Sequence, residues 1–242
     1  MRIYAHRGAS KEAPENTLKA FRLAFSQQAD GIEFDVYQHE NGIIVFHDRT
    51  LRRRANAEGY LLETPWSTLQ TLDIGDGEHI PTLSETLGEV PANKWCNIEI
   101  KHLVDVKRWV SDVKAALSQS QIAIEHVLVS SFNHHWLKAI TDLWPEVKIG
   151  ALSASYELDC TASAKALKAY SVNIALDAVD KTFVQTVLSE GFNVYVYTVD
   201  EPKDMEMLAQ WGVTGIFTNV PQLAKEVMAK EITAKDAVSD KS

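Results

Sequence analysis

The chain has 242 residues, of which 45% are hydrophobic and 24% charged, a balance that supplies a sizeable core and excludes a largely disordered polymer. Its formal net charge of −9 argues against a nucleic-acid surface, because duplex phosphates demand a clustered excess of Lys and Arg. No apolar run approaches the ~20 residues of a membrane span, no secretory leader pattern is seen, and Cys96 and Cys160 show no metal-ligand spacing and read as buried thiols; these features lead us to expect a soluble, cytoplasmic protein with no nucleic-acid partner and no stable membrane association.

In chain order, the first β-rich run is Ile3–His6, and it ends in His6-Arg7-Gly8, two strongly polar side chains held at a strand end. An amphipathic segment over Asn16–Gln28 follows, then a strand over Gly31–Val36. The stretch "EFDVYQHENGIIVFHD" sets Asn41-Gly42 between two apolar-rich runs, the signature of a two-residue β-hairpin. With that loop Glu40 pairs with Ile43 and Val36 lies opposite His47, which brings His47 beside Asp35. From about residue 49 to 81 the periodicity is weak and the segment reads as an insertion, after which a helical pattern resumes at Leu83–Leu87. Strands at Cys96–Ile100, Val127–Ser131, Lys148–Leu152, Val172–Leu176, Asn193–Thr198 and Gly215–Thr218 then alternate with amphipathic segments at Val104–Gln119, His134–Leu143, Ala162–Tyr170, Thr182–Glu190, Pro202–Trp211 and Pro221–Lys230. Eight strand–helix units predict an α/β fold of the (β/α)8 barrel type. An open doubly wound sheet is disfavoured because no Gly-rich phosphate turn follows the first strand. The expected organisation is one catalytic domain over 1–230, with the hairpin and the 49–81 insertion after the second barrel strand, and a small polar tail over 231–242 that frays.

Barrel active sites form at the carboxyl ends of the strands, and the polar residues there agree in kind. The first strand ends in His6-Arg7, the second carries Glu33 and Asp35, the hairpin returns His47-Asp48, and the next strand carries Glu99 and Lys101. Strand alternation puts Glu33 with Asp35, and Glu99 with Lys101, on one face; Ile32, Phe34 and Val36 between the acids must pack on the helices, so the carboxylates point inward. Three inward carboxylates imply a cation, because uncompensated buried charge is very costly. Their hard oxygens favour one Mg²⁺ or Ca²⁺ ion, with Mn²⁺ as an alternative, over zinc. Arg7 and Lys101 add positive charge suited to a phosphate, and His6 and His47 are two imidazoles suited to proton transfer. Together they suggest phosphodiester cleavage. No Ser, Thr or Cys is marked out beside either histidine as a nucleophile, which leaves metal-held water or a hydroxyl of the substrate to attack phosphorus.

The ordered set "AHRG", "PENT", "IEFDV", "FHD", "IPTLSE", "NIEIK", "SSF", "VYTV" and "GIFTN", running from about residue 3 to 221, resembles the glycerophosphodiester phosphodiesterases. The resemblance implies a TIM barrel with a small insertion after the FHD motif, a divalent cation, and hydrolysis of small-molecule glycerophosphodiesters to an alcohol and glycerol 3-phosphate. Carried over by position, it makes His6 and His47 the acid–base pair, Glu33, Asp35 and Glu99 the metal ligands, and Arg7 and Lys101 the phosphate contacts. Some relatives carry Trp where Tyr197 sits.

Other readings of single residues are blander. Lys101 and Glu99 form a simple ion pair in one of them. Asp48 reads as a turn residue in preference to a partner of His47, Glu15 and Asn16 start the first helix and brace the His-Arg-Gly loop, Arg52-Arg53-Arg54 make a solvated charge run, His134 and His135 lie at the surface, and the tryptophans pack in the core. Competing functions are a phospholipase D-like activity on lysolipids, a metal-dependent sugar isomerase, and an inactive barrel that binds phosphate esters.

Overall fold

A computed structural model describes residues 1–239, with side-chain surroundings through residue 231. Eight parallel strands, β1 (Arg2–His6), β2 (Gly31–His39), β4 (Trp95–His102), β5 (Val127–Ser131), β6 (Lys148–Ser153), β7 (Ser171–Ala175), β8 (Asn193–Tyr197) and β9 (Gly215–Thr218), pair side to side, and β1 closes the circle by pairing with both β2 and β9. The open sheet is thereby excluded. One antiparallel strand, β3 (Gly42–Val45), lies outside the barrel against β2. The helices are α1 (Leu18–Ser26), α2 (Trp66–Leu69), α3 (Leu83–Gly88), α4 (Val106–Ser118), α5 (His134–Leu143), α6 (Ala162–Leu167), α7 (Lys181–Ser189), α8 (Pro202–Trp211) and α9 (Pro221–Ser239). None of the described helices is long and apolar enough to cross a membrane. The tail expected to fray begins within α9; residues 240–242 lie outside the described residues.

Strand alternation divides the core into two parts. Ile3, Ile32, Phe34, Val36, Ile98 and Ile100 point outward into the layer between strands and helices, whereas Tyr4, Tyr195 and Phe217 fill the barrel, their ring centroids 5.3–5.9 Å apart. Arg2 closes that aromatic plug from below, donating to the Tyr195 and Tyr170 hydroxyls and lying 4.4 Å over the Trp95 ring. With the lower half packed by rings, the inward positions of the upper half are left for polar groups. Segment 49–81 has a small core of its own, in which Leu51, Leu61, Leu69 and Ile80 bury against Tyr37, Ile44 and Phe46 of the hairpin.

The hairpin departs from the expected register. Its loop is Glu40-Asn41, His39 pairs with Gly42, and Val36 pairs with Val45 instead of lying opposite His47. The physical reason is a close approach: a Cβ on Gly42 would sit 3.2 Å from Cη2 of Trp66, so this glycine serves ring packing within the strand, while His39 Nδ1 receives the Asn41 amide at 3.2 Å. Phe46 N still donates to the Asp35 carbonyl at 2.9 Å, and the returning chain therefore delivers His47 to the rim beside β2. A second irregularity lies in β4, where Val36 pairs with Ile100 but Tyr37 pairs with His102. Lys101 is the extra residue of this bulge, the kind of defect that re-aims a side chain.

The loop after β1 rests directly on α1. Arg7 (φ 58°) and Gly8 (φ 84°) both lie in the left-handed region, and a Cβ on Gly8 would meet Ala20 Cβ at 2.6 Å and Ala20 C at 2.7 Å. We expect Gly8→Ala to destabilise the fold by about 2–4 kcal/mol through strain and overpacking. Urea unfolding checks this, and an unshifted midpoint would show that the loop has room to spare.

Candidate active site

Of the seven residues singled out in the sequence, His6 and Arg7 lie at the end of β1, Glu33 and Asp35 within β2, Glu99 and Lys101 in the second half of β4, and His47 just past the end of β3. Strand register does most of the placing: His6 is paired with Glu33, and Asp35 with Glu99. Glu33, Asp35 and Glu99 each bring one carboxylate oxygen within 4.8 Å of the others, and they are only 2%, 0% and 8% exposed. Two cations are wedged against them. Arg7 Nε lies 3.1 Å from Asp35 Oδ2, and Lys101 Nζ lies 3.1 Å from Asp35 Oδ1 while also contacting Glu99 Oε1. The backbone N–H of Arg7 donates to Glu33 Oε2 at 3.0 Å, and His6 Nε2 lies 3.9 Å from the same oxygen.

Charge compensation is uneven across the three acids. Burial, then the neighbouring Asp35 and Glu99 charges, push Glu33 well above the usual carboxylate range. Burial and Asp35 push Glu99 up to about 7 in spite of Lys101. Burial alone would raise Asp35 too, but Lys101 and Arg7 outweigh it and hold Asp35 below its ordinary value. His6 is pushed down to about 4, by burial first and the Arg7 charge second, so its ring is neutral at pH 7. The Glu33 Oε1 atom is buried without a hydrogen-bond partner, and Asp35 Oδ1 has an ion pair but no aligned donor. Orphaned acceptors on a hard-oxygen cluster are what a divalent cation satisfies, and the three side chains fit one.

The family profile described as "Glycerophosphoryl diester phosphodiesterase family" matches residues 6–223. The chain belongs to this family. A glycerophosphodiester phosphodiesterase of Caldanaerobacter subterraneus subsp. tengcongensis is 32% identical over 237 residues, covering 94% of this chain and 98% of its own. A glycerophosphodiester phosphodiesterase of Bacillus altitudinis is 31% identical, covering 93% and 97%. Among solved structures, an Oleispira antarctica phosphodiesterase in complex with the product sn-glycerol-3-phosphate has a TM-score of 0.88 at 27% identity, covering 95% of this chain and 97% of that one.

The enzyme also holds residues that the sequence reading missed. Asn219, from the "GIFTN" motif, receives the His6 Nδ1 proton on Oδ1 at 2.8 Å. Its amide cannot turn round, because Asn219 Nδ2 and N donate to Asp200 at 2.7 and 2.8 Å, so the acceptor faces His6 and leaves His6 Nε2 with the lone pair. Asp48, read as a turn residue, instead lies with Oδ1 2.6 Å from His47 Nδ1; it fixes that ring as Asn219 fixes the other. Asn16 does more than open a helix: its Nδ2 donates to Asp35 Oδ2 at 2.9 Å, and the N-cap of α1 is Thr17. The arginine run is only partly solvated, since Arg53 and Arg54 join Arg7 on Glu15 and Arg53 also binds Asp48. Cys96 is buried as expected, but Cys160 is only half-buried at the exposed turn before α6. His134 is half-buried and hydrogen-bonded to the Leu152 carbonyl at 2.9 Å, and of the tryptophans only Trp109 and Trp144 are fully in the core.

The raised acids couple cation binding to protons. Glu99, at about 7 against an ordinary 4.5, holds its proton longer in the folded chelated protein than in the unfolded chain. Its contribution to stability is therefore lost as pH rises from about 4.5 to about 7, and a cation that needs the ionised carboxylate restores it. We expect Mg²⁺ to raise the melting temperature of chelator-stripped protein more at pH 8 than at pH 5. Equal shifts at the two pH values would break the link between this cluster and the cation.

Proposed function

We propose that this enzyme hydrolyses glycerophosphodiesters to an alcohol and glycerol 3-phosphate, with one divalent cation on Glu33, Asp35 and Glu99, phosphate held by Arg7 and Lys101, and protons moved by His6 and His47. The observation that carries this reading is the buried carboxylate trio flanked by two cations and two imidazoles, each imidazole with Nδ1 held by an oxygen partner. Mg²⁺ or Ca²⁺ on that trio supplies Lewis-acid polarisation of an oxygen at phosphorus. A reducing compartment, the cytoplasm, suits the two free thiols.

The rest follows from the chain's own groups. The Arg7 guanidinium, steadied by Glu15 and Asp35, presents a planar donor fork to the phosphoryl oxygens, and Lys101 presents a point charge. The Ser10 hydroxyl sits 2.8 Å from both the His6 carbonyl and Asn219 Oδ1; it serves to position the loop and is not aimed at an imidazole nitrogen as a nucleophile. The attacking group is then the glycerol 2-hydroxyl, already tethered near phosphorus. His6 Nε2, neutral and unprotonated, takes the 2-hydroxyl proton. The new O–P bond forms a cyclic glycerol phosphate as the bond to the departing alcohol breaks, and His47 gives that oxygen its proton. Water then opens the ring with the roles exchanged: His47 removes the water proton and His6 returns its proton to the 2-oxygen. His47 is assigned to the departing side because His6, neutral with its Nε2 lone pair free, takes the attacking side.

Glycerol 3-phosphate release from a panel of glycerophosphodiesters, with and without EDTA, tests the reading. We expect His6→Ala and His47→Ala each to lower turnover by roughly 10²–10⁴-fold, as removal of a positioned acid or base does; a variant with near-normal turnover would remove that histidine from the chemistry. A substrate analogue lacking the 2-hydroxyl is expected not to be cleaved. Its brisk hydrolysis would favour water as the attacking group.

A further inference from the structure

Beside the carboxylate trio the barrel rim opens into a cavity of about 560 Å³ lined by Tyr37, Arg49, Tyr60, Leu62, Glu63, Lys101, His102 and Trp136. One side is aromatic. Tyr37 and His102 stack with centroids 6.3 Å apart and planes 21° apart, and Trp136 meets His102 edge-on at 6.4 Å; Tyr37 is buried, and the half-buried His102 and Trp136 are the rings left to the carbon skeleton of a small guest. Tyr60, 56% exposed, and Leu62 come from the insertion. Lys101 joins the cavity to the phosphate contacts, and Tyr37 joins it to His47.

Two opposite charges in this cavity are unclaimed. Among the described residues every arginine except Arg49 has a side-chain hydrogen bond or ion pair. Glu63 likewise has no side-chain partner, and no ion pair within 4.0 Å joins the two. Arg49 and Glu63 are exposed side chains at the mouth of the cavity, and the Arg49 charge adds to burial in disfavouring protonation of His102. The remaining cation, Lys101, is ion-paired with Asp35 and Glu99. An aromatic side with a free guanidinium and a free carboxylate held apart is complementary to a small zwitterion. A choline or ethanolamine head offers Glu63 its ammonium but gives Arg49 nothing, and a glycerol head engages neither charge.

We propose that this cavity receives the departing alcohol and is built for an amino-acid head group of the serine type, its carboxylate on Arg49 and its ammonium on Glu63. The inference rests on the glycerophosphodiesterase reading above. Arg49 and Glu63 are then specificity-determining residues: they contact the head group and leave proton transfer to the histidines.

The test compares kcat/KM for glycerophosphoserine, glycerophosphoethanolamine and glycerophosphoglycerol in the full-length wild type and in Arg49→Ala, Arg49→Glu and Glu63→Gln, with melting temperatures to show that each variant is folded. Loss of one charge-assisted contact predicts that Arg49→Ala lowers the serine-to-ethanolamine ratio by about tenfold, and Arg49→Glu by more. Glu63→Gln should lower the ethanolamine-to-glycerol ratio severalfold while the Arg49 variants do not. Ratios that stay within about twofold of wild type in both Arg49 variants overturn the proposal. So does an equal fall on all three diesters that salt abolishes, which would make Arg49 a long-range attractor of anions. If the wild type releases glycerol 3-phosphate from none of the three, the activity itself fails, an outcome distinct from hydrolysis of all three with ratios indifferent to Arg49.

Discussion

Three carboxylates forced to within 4.8 Å of one another inside a protein are the constraint around which the rest of this barrel is arranged. Left alone they would take up protons or pull apart, because like charges in a poorly solvated site repel strongly. The fold answers with groups from three places. Arg7 arrives from a left-handed loop after β1, Lys101 from a bulge in β4, Asn16 from the segment before α1, and the Arg7 backbone amide caps Glu33. Asp35 takes most of this help and stays ionised, while Glu33 and Glu99 are left proton-hungry. A cluster balanced in this way could hold a metal ion.

That balance explains features remote from the acids. The aromatic plug of Tyr4, Tyr195 and Phe217 keeps the lower barrel dry, so the polar upper layer rests on a rigid base. Glu15 collects Arg7, Arg53 and Arg54, and this ties the insertion to the first loop. Arg53 carries the tie on to Asp48 and hence to His47. The insertion with its own small core is thereby held as the outer wall of the site.

The barrel and the inward Glu33, Asp35 and Glu99 were legible in the sequence because they depend on period-two alternation, which needs no knowledge of partners, while His6 and Arg7 stood out as polar residues at a strand end. Glu33-Phe34-Asp35 and Glu99-Ile100-Lys101 display inward and outward faces by themselves. What could not be read depends on register and on distant contacts. The Asn41-Gly42 pair signals a turn, yet Gly42 is claimed by the Trp66 ring from outside the hairpin, and the loop slides back onto Glu40-Asn41. Lys101 and His102 both serve the same rim only because of a bulge that alternation does not anticipate. Asn219 was visible as part of a motif, but its task depends on closure of β9 against β1, more than 200 positions away in the chain. Asp48 stood next to His47 in the sequence and was set aside because adjacency alone favours a turn.

The placement of Asn219 also bears on how the molecule comes into being. His6 and the residue that orients its ring are 213 positions apart, and Asn219 comes just after the strand that closes the barrel. Without β9 the sheet would be open between β8 and β1, and His6 Nδ1 would lack its Asn219 acceptor. Docking of β9 against β1 therefore seals the barrel and, in the same step, brings Asn219 Oδ1 to His6 Nδ1 and sets the tautomer of that ring.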